Sequence, residues 1–301
     1  MIVAVPSAPT ARQEIEDAIE TALERLEYRV VPLGEGARAL ASAIRRAATG
    51  GKRFRPLLVA AAYDTLDGDA VALSALWQVA AAFELLHTAF VVHDDVIDHD
   101  LERRGIPNIG GEFRQRGLEK GADDAGAALL GNAAGILAGD MLLHEAGRLV
   151  ALADVPTAMR AELLRLVEDA VIVSAAGELA DVENAVSAGD VDAMTVLAAT
   201  RDKTAVYSFS APLQAGAVMA GASDAALHAL ERFGERLGLA TASHAGTDRH
   251  VAVVRDILNA AGLGEDDLRC PAAWPGDTAT RDELVRELGA PSRIRMNCSG
   301  K

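Results

Sequence analysis

The stretch VALSALWQVAAAFELLHTAFVV, residues 71–92, decides the fold. It is apolar on nearly every side, rich in Ala and Leu, and free of Gly and Pro. Strand-like alternation is missing, so the stretch reads as a helix, and a helix apolar all round belongs inside a packed set of others. A second stretch of the same kind is AALLGNAAGILAGDMLL, 127–143. Small residues such as Ala81, Ala82, Ala133, Ala134 and Gly135 let such helices approach closely. Working outward, the pattern predicts helices over 10–27, 36–49, 53–66, 70–98, 122–153, 156–186, 190–199, 201–220 and 224–240. Gly and Pro punctuate them at Gly50-Gly51, Gly105-Ile106-Pro107, Gly189 and Gly221. No helix–strand alternation and no fixed-period repeat occurs, so the expected architecture is an all-α bundle with long central helices.

The 301 residues are 50% hydrophobic, enough for a sizeable core, and nothing in the middle reads as a linker. One domain over 1–301 is therefore expected. The net charge of −15 argues against a nucleic-acid partner, because phosphate backbones need a basic surface. The two cysteines, Cys270 and Cys298, imply no disulfide framework and fit a reducing cytoplasm. The N-terminal MIVAVPSAPTARQ does not read as a signal peptide. No apolar run reaches the roughly 18 residues of a membrane span.

The apolar helix runs directly into HDDVIDHDLERRG, 93–105. Asp94 and Asp98 are four apart, which on a helix puts them on one face with about 6 Å of rise between them. Two bare carboxylates at that distance repel by about 3 kcal/mol at an effective dielectric of 20. Asp95 adds to the load, so a cation is expected. Oxygen ligands with no Cys nearby point to a hard divalent ion, and Mg²⁺ takes one or two carboxylates and completes its shell with water and substrate phosphates. Arg103 and Arg104 follow, and guanidinium beside such a metal suits a phosphate ester. The plainer alternative is a solvated acidic turn with surface ion pairs.

GGKRFRP, 50–56, gathers Lys52, Arg53 and Arg55 in an otherwise acidic chain. Its glycines free the backbone to approach a ligand and Pro56 suits the first turn of a helix. The cluster fits a second anionic group; otherwise it is an ordinary basic loop.

GGKRFRP, then ELLHTAFVVHDDVIDHDLERRGIPN, then DKTAVYSFSAPLQAGA (202–217) resemble, in order and spacing, the trans-isoprenyl diphosphate synthases, and bacterial geranylgeranyl diphosphate synthases in particular. The resemblance covers about residues 36–240. It implies an isoprenoid-synthase-like all-α bundle around a central apolar cavity, a homodimer, and Mg²⁺-dependent condensation of isopentenyl diphosphate with an allylic diphosphate. It assigns Asp94 and Asp98, with Asp95 in support, to Mg²⁺ and the allylic diphosphate, which Arg103 also contacts. Lys52, Arg55, His87 and Arg104 are assigned to isopentenyl diphosphate. Lys203 and Thr204 are assigned to the allylic diphosphate, the lysine stabilising the departing anion. On its own residues His87, on an apolar helix, reads equally as a core or interface histidine. Ala89 and Phe90, just before Asp94, sit where this family gates chain length, and a C20 product is expected, with C15 as the neighbour.

The family also carries a second aspartate cluster, DDxxD after an amide. Here FGERLGLA (233–240) is followed by TASHAGTDRHVAV, in which Asp248 stands alone beside His244 and His250; Glu265, Asp266 and Asp267 lie farther on. The family has an amide where Glu178 stands, and Asp181 is a further candidate for the site. Two readings follow: a prenyl-elongating enzyme, or a catalytically impaired homologue serving as a diphosphate-binding or dimer-partner subunit. A terpene cyclase fits less well, because GGKRFRP and RRG serve a second diphosphate.

Overall fold

The computed structural model describes residues 8–68, 73–188 and 191–242. The expectations for His244, Asp248, His250, the acids at 265–267 and a short helix near 280–289 lie outside the described residues. The described chain forms two compact units, one built from 6–56 and 77–154, the other from 57–76 and 155–242.

The first unit begins with α1 (Ala8–Val30), a single 3₁₀ turn (Val31–Leu33) and α2 (Glu35–Ala48). In α1 the buried side chains Ile15, Ile19, Leu23 and Leu26 recur every three or four residues, so one stripe faces the core. Each such side chain, fully buried, contributes about 1.5–3 kcal/mol. The helix α3 (Phe54–Thr65) starts in this unit and continues in the second. Its neighbour α4 (Leu73–Ile97) is the long apolar helix, with Val79, Phe83, Leu85 and Leu86 essentially inaccessible. After it comes a two-stranded hairpin, β1 (Glu102–Arg103) and β2 (Ile106–Pro107), then α5 (Ile109–Glu119) and α6 (Asp124–Ala151).

The glycines of α6 fix how closely α4 approaches it. A Cβ on Gly135 would lie 2.3 Å from Val96 Cγ2, and one on Gly139 would lie 2.1 Å from His93 Nε2. The last two turns of α4, which carry the acidic cluster, are therefore seated on a groove that any larger residue would fill.

The helix α5 is absent from the sequence reading, as is the hairpin. IGGEFRQRGLE has three glycines in eleven residues and so looks like loop. Its glycines serve packing instead, since a Cβ on Gly111 would lie 2.1 Å from Leu101 O. Asn108 caps the helix, its side chain accepting from Gly111 N–H at 2.8 Å.

The second unit holds most of α3, then α7 (Thr157–Val186), α8 (Ala193–Thr200), a π-helical segment (Arg201–Ser210), α9 (Ala211–Met219) and α10 (Asp224–Ala242). Every residue of α9 is buried. The expected helix over 201–220 exists, but its first ten residues follow the wider π pitch. Glycines grip this segment from two sides. A Cβ on Gly177 of α7 would lie 2.1 Å from Lys203 N, and one on Gly238 of α10 would lie 2.3 Å from Ala205 Cβ. Runs of π-helix are rare and recur at functional sites.

One expectation from composition is corrected. With a few polar residues allowed, α4 and α6 each hold a stretch long and apolar enough to cross a membrane. In α4, 78% of that stretch is buried, as in a core helix; in α6, 39% is, and Leu129, Ile136 and Leu137 are exposed.

Candidate active site

In the first unit the site is built where α4 ends. The helix runs on to Asp98, whose N–H donates to Asp94 O at 2.8 Å, so the two aspartates do share a face one turn apart. The Asp94 side chain is 28% exposed, with its Oδ1 buried, and Asp98 is exposed. Asp95 is buried. The helix then closes with Asp100 N–H donating back to Asp95 O at 2.8 Å and with His99 in the left-handed region at φ 59°.

The hairpin that follows returns a cation to the cluster. Glu102 pairs with Pro107 and Arg103 with Ile106. The two turn residues, Arg104 and Gly105, have φ of 55° and 77°, the geometry of a tight turn whose twist matches the strands. Asn108 stitches the hairpin back: its amide donates to Asp100 O at 2.8 Å and its N–H to Leu101 O at 3.0 Å. Arg103 then reaches Asp95, Nε donating to Oδ1 at 3.0 Å and Nη2 to the same oxygen, and lies 3.6 Å from Asp94 Oδ2. Burial lifts the Asp95 carboxyl above the ordinary carboxylate range, and Arg103 and Asn108 pull it back only in part. Asp95 in turn raises the Arg103 guanidinium above its ordinary value.

His87 lies seven residues before Asp94 on the same helix. Desolvation pushes its pKa well below the ordinary 6.5, and the positive charges of Arg55, Arg103 and Arg104 push the same way. The imidazole is therefore neutral near pH 7. The same electrostatics gather Arg55, His87, Arg103 and Arg104, from three separate chain segments, into one basic neighbourhood.

Lys52 is exposed and Arg55 partly so. Arg53, between them, is not. It is 2% exposed at φ 53°, bonded to Glu16 at 2.8 and 2.6 Å, Glu84 at 3.0 Å and Ala48 O at 3.0 Å. Arg53 therefore anchors the loop from within and leaves Lys52 and Arg55 on its outer side. Arg12 adds a tie, donating to Gly51 O at 2.7 Å. The signal in the sequence was Glu84, a lone carboxylate inside the apolar helix, which must find a cation.

In the second unit Lys203 and Thr204 stand in the first turn of the π segment, both partly exposed. The Lys203 ammonium donates to Glu178 Oε1 at 3.1 Å and to Asp181 Oδ2 at 3.0 Å.

The donors at the end of α4 suit Mg²⁺. Among the described residues no three acidic, histidine or cysteine side chains converge into a ready-made cage. Two carboxylate-bearing positions one turn apart are what Mg²⁺ uses when substrate phosphates complete its octahedron.

A polyprenyl synthetase family model matches residues 37–241. A geranylgeranyl diphosphate synthase of Sulfolobus acidocaldarius is 31% identical over 194 residues, 64% of this chain and 52% of that protein. A geranylgeranyl diphosphate synthase of Mycobacterium tuberculosis is 32% identical over 250 residues, 81% of this chain and 63% of that protein. The chain spans about half the length of the curated relatives it matches first. Among solved structures, a geranylgeranyl pyrophosphate synthase of Corynebacterium glutamicum, complexed with isoprenyl diphosphate and magnesium, superposes with a TM-score of 0.72. It is 22% identical, with 95% of this chain and 88% of that one covered.

Proposed function

The chain belongs to the polyprenyl synthetase family, and on that premise we propose that it condenses isopentenyl diphosphate with an allylic diphosphate to give a short-chain prenyl diphosphate, C20 in length. One observation carries the reading: Arg55, Arg103 and Arg104 gather about a neutral His87, about two turns before Asp94 and three before Asp98. A strongly acidic chain that builds such a neighbourhood beside an acidic face is equipped for anions that arrive with a metal.

Each group then has a task. Asp94 and Asp98 hold Mg²⁺, which when bound supplies positive charge to the departing diphosphate. Asp95 orients Arg103 toward the allylic diphosphate. Lys52, Arg55 and Arg104 take the charge of isopentenyl diphosphate, while neutral His87 donates a hydrogen bond without adding to their mutual repulsion. Lys203 and Thr204 we assign to the allylic diphosphate. The allylic C–O bond breaks with its electron pair leaving on diphosphate, the isopentenyl double bond attacks the allylic carbon, and a proton is lost. Charge stabilisation, and no protein nucleophile, is what this sequence demands. Ala89, fully buried five residues before Asp94, and Phe90 beside it set the expected chain length.

We also propose a homodimer, for which the exposed Leu129, Ile136 and Leu137 on α6 speak, since exposed apolar groups of this kind mark contact surfaces; a cytoplasmic setting is proposed from the two-cysteine sequence alone. Incubation with Mg²⁺, isopentenyl diphosphate and radiolabelled farnesyl diphosphate tests the function: a labelled C20 diphosphate is expected, and no extended product at high enzyme concentration refutes it.

A further inference from the structure

Lys203 is held more tightly than a residue awaiting an anion needs to be. Both oxygens of Glu178 lie on its ammonium, at 3.1 and 3.0 Å, and Asp181 Oδ2 lies at 3.0 Å. Glu178 and Asp181 are three apart on α7 and so project to the same side. Glu178 is the deeper of the two, with its side chain 18% exposed against 52% for Asp181. The contact is built into the backbone. Gly177, next to Glu178, leaves no room for a Cβ against Lys203 N, so α7 and the π segment touch at this point. The Lys203 backbone is thereby fixed beside Glu178.

Within this trio one positive charge stands against two negative ones, so Glu178 and Asp181 themselves repel a diphosphate nearing Lys203. An exposed carboxylate such as Asp181 is screened and easily displaced; the partly buried Glu178 is neither. We infer that Glu178 is a brake on diphosphate capture, a specificity-determining carboxylate that weakens the hold of Lys203 on the allylic diphosphate. This inference rests on the assignment of Lys203 to that diphosphate. Replacing the carboxylate by the isosteric amide keeps a hydrogen-bond acceptor on the ammonium and removes the charge, so the brake releases while the geometry stays.

The test is calorimetric titration of the full chain with inorganic pyrophosphate in saturating MgCl₂, for wild type, Glu178→Gln, Lys203→Met and the double variant, with steady-state kinetics alongside. Glu178→Gln is expected to bind pyrophosphate about tenfold more tightly, from the loss of one close repulsive charge, and to lower KM for the allylic diphosphate more than it changes kcat. Lys203→Met is expected to weaken binding, and the double variant to lose the gain. Asp181→Asn, in the more exposed position, should shift affinity the same way by less, and stands in if Glu178→Gln does not fold. If Lys203→Met weakens binding but neither amide variant tightens it, the brake is refuted and the Lys203 assignment stands. If Lys203→Met binds like wild type, both fall.

Discussion

Replacing Arg53 with Met tests how the basic loop is held. The guanidinium is 1% exposed and serves Glu16, Glu84 and the Ala48 carbonyl together. Glu84 is nearly as deep, with its side chain 9% exposed and its Oε2 buried without a hydrogen-bond partner. Met fills most of the volume but leaves the Glu84 carboxylate buried and without its cation. Breaking such a pair from one side costs about 3–5 kcal/mol. For a protein whose stability is of the order of 5–15 kcal/mol that is a large fraction, and it lowers Tm by roughly 6–20 °C. Adding Glu84→Gln removes the stranded charge, so the double variant should recover a good part of the loss. The loop carries Lys52 and leads into Arg55 in the first turn of α3, so at temperatures where Arg53→Met is folded, KM for isopentenyl diphosphate should rise more than KM for the allylic partner. Calorimetric melts of the four members of the cycle are the assay. A Tm for Arg53→Met within about 2 °C of wild type, or a Glu84→Gln change that deepens the loss, refutes the reasoning.

His87 predicts a pH dependence. Its folded pKa lies below the unfolded value of about 6.5, so the unfolded chain binds more protons below that pH. The stability from the neutral ring is whole above about 6.5 and is lost as pH falls toward the folded pKa; melts at pH 7.5 and 5.5 should show a smaller drop in His87→Gln than in wild type. Asp94→Asn and Asp98→Asn should each lower kcat by about 10²–10³ while leaving Tm within a few degrees, checked by initial rates and calorimetry. Phe90→Ala should lengthen the product without abolishing condensation, read from the chain length of the dephosphorylated products.

The parts of this molecule that the sequence discloses are those where one residue type decides. The apolar run 71–92 is a core helix because no other place accepts it, and Asp94 and Asp98 share a face because helical geometry admits nothing else. Three features escape for physical reasons. The glycines of α5 read as loop until Leu101 is seen pressed against Gly111. The π pitch of 201–210 occurs where Gly177 and Gly238, distant in sequence, press on the segment, and RDKTAVYSFS alone carries no sign of it. Arg53 reads as a surface cation like its neighbours, and only its left-handed backbone and the carboxylates of Glu16 and Glu84 turn it inward. The partners of Lys203 were visible as Glu178 and Asp181, acids on a largely apolar helix, though not their capture of the lysine.

On the proposed assignment the two diphosphates are held by different basic groups, Arg55 serving the isopentenyl and Arg103 the allylic one. Initial rates over a grid of both substrate concentrations, for wild type and Arg55→Met, separate the two. In Arg55→Met the KM for isopentenyl diphosphate should rise at least about tenfold with the allylic KM nearly unchanged. An equal rise in both, or in neither, contradicts it.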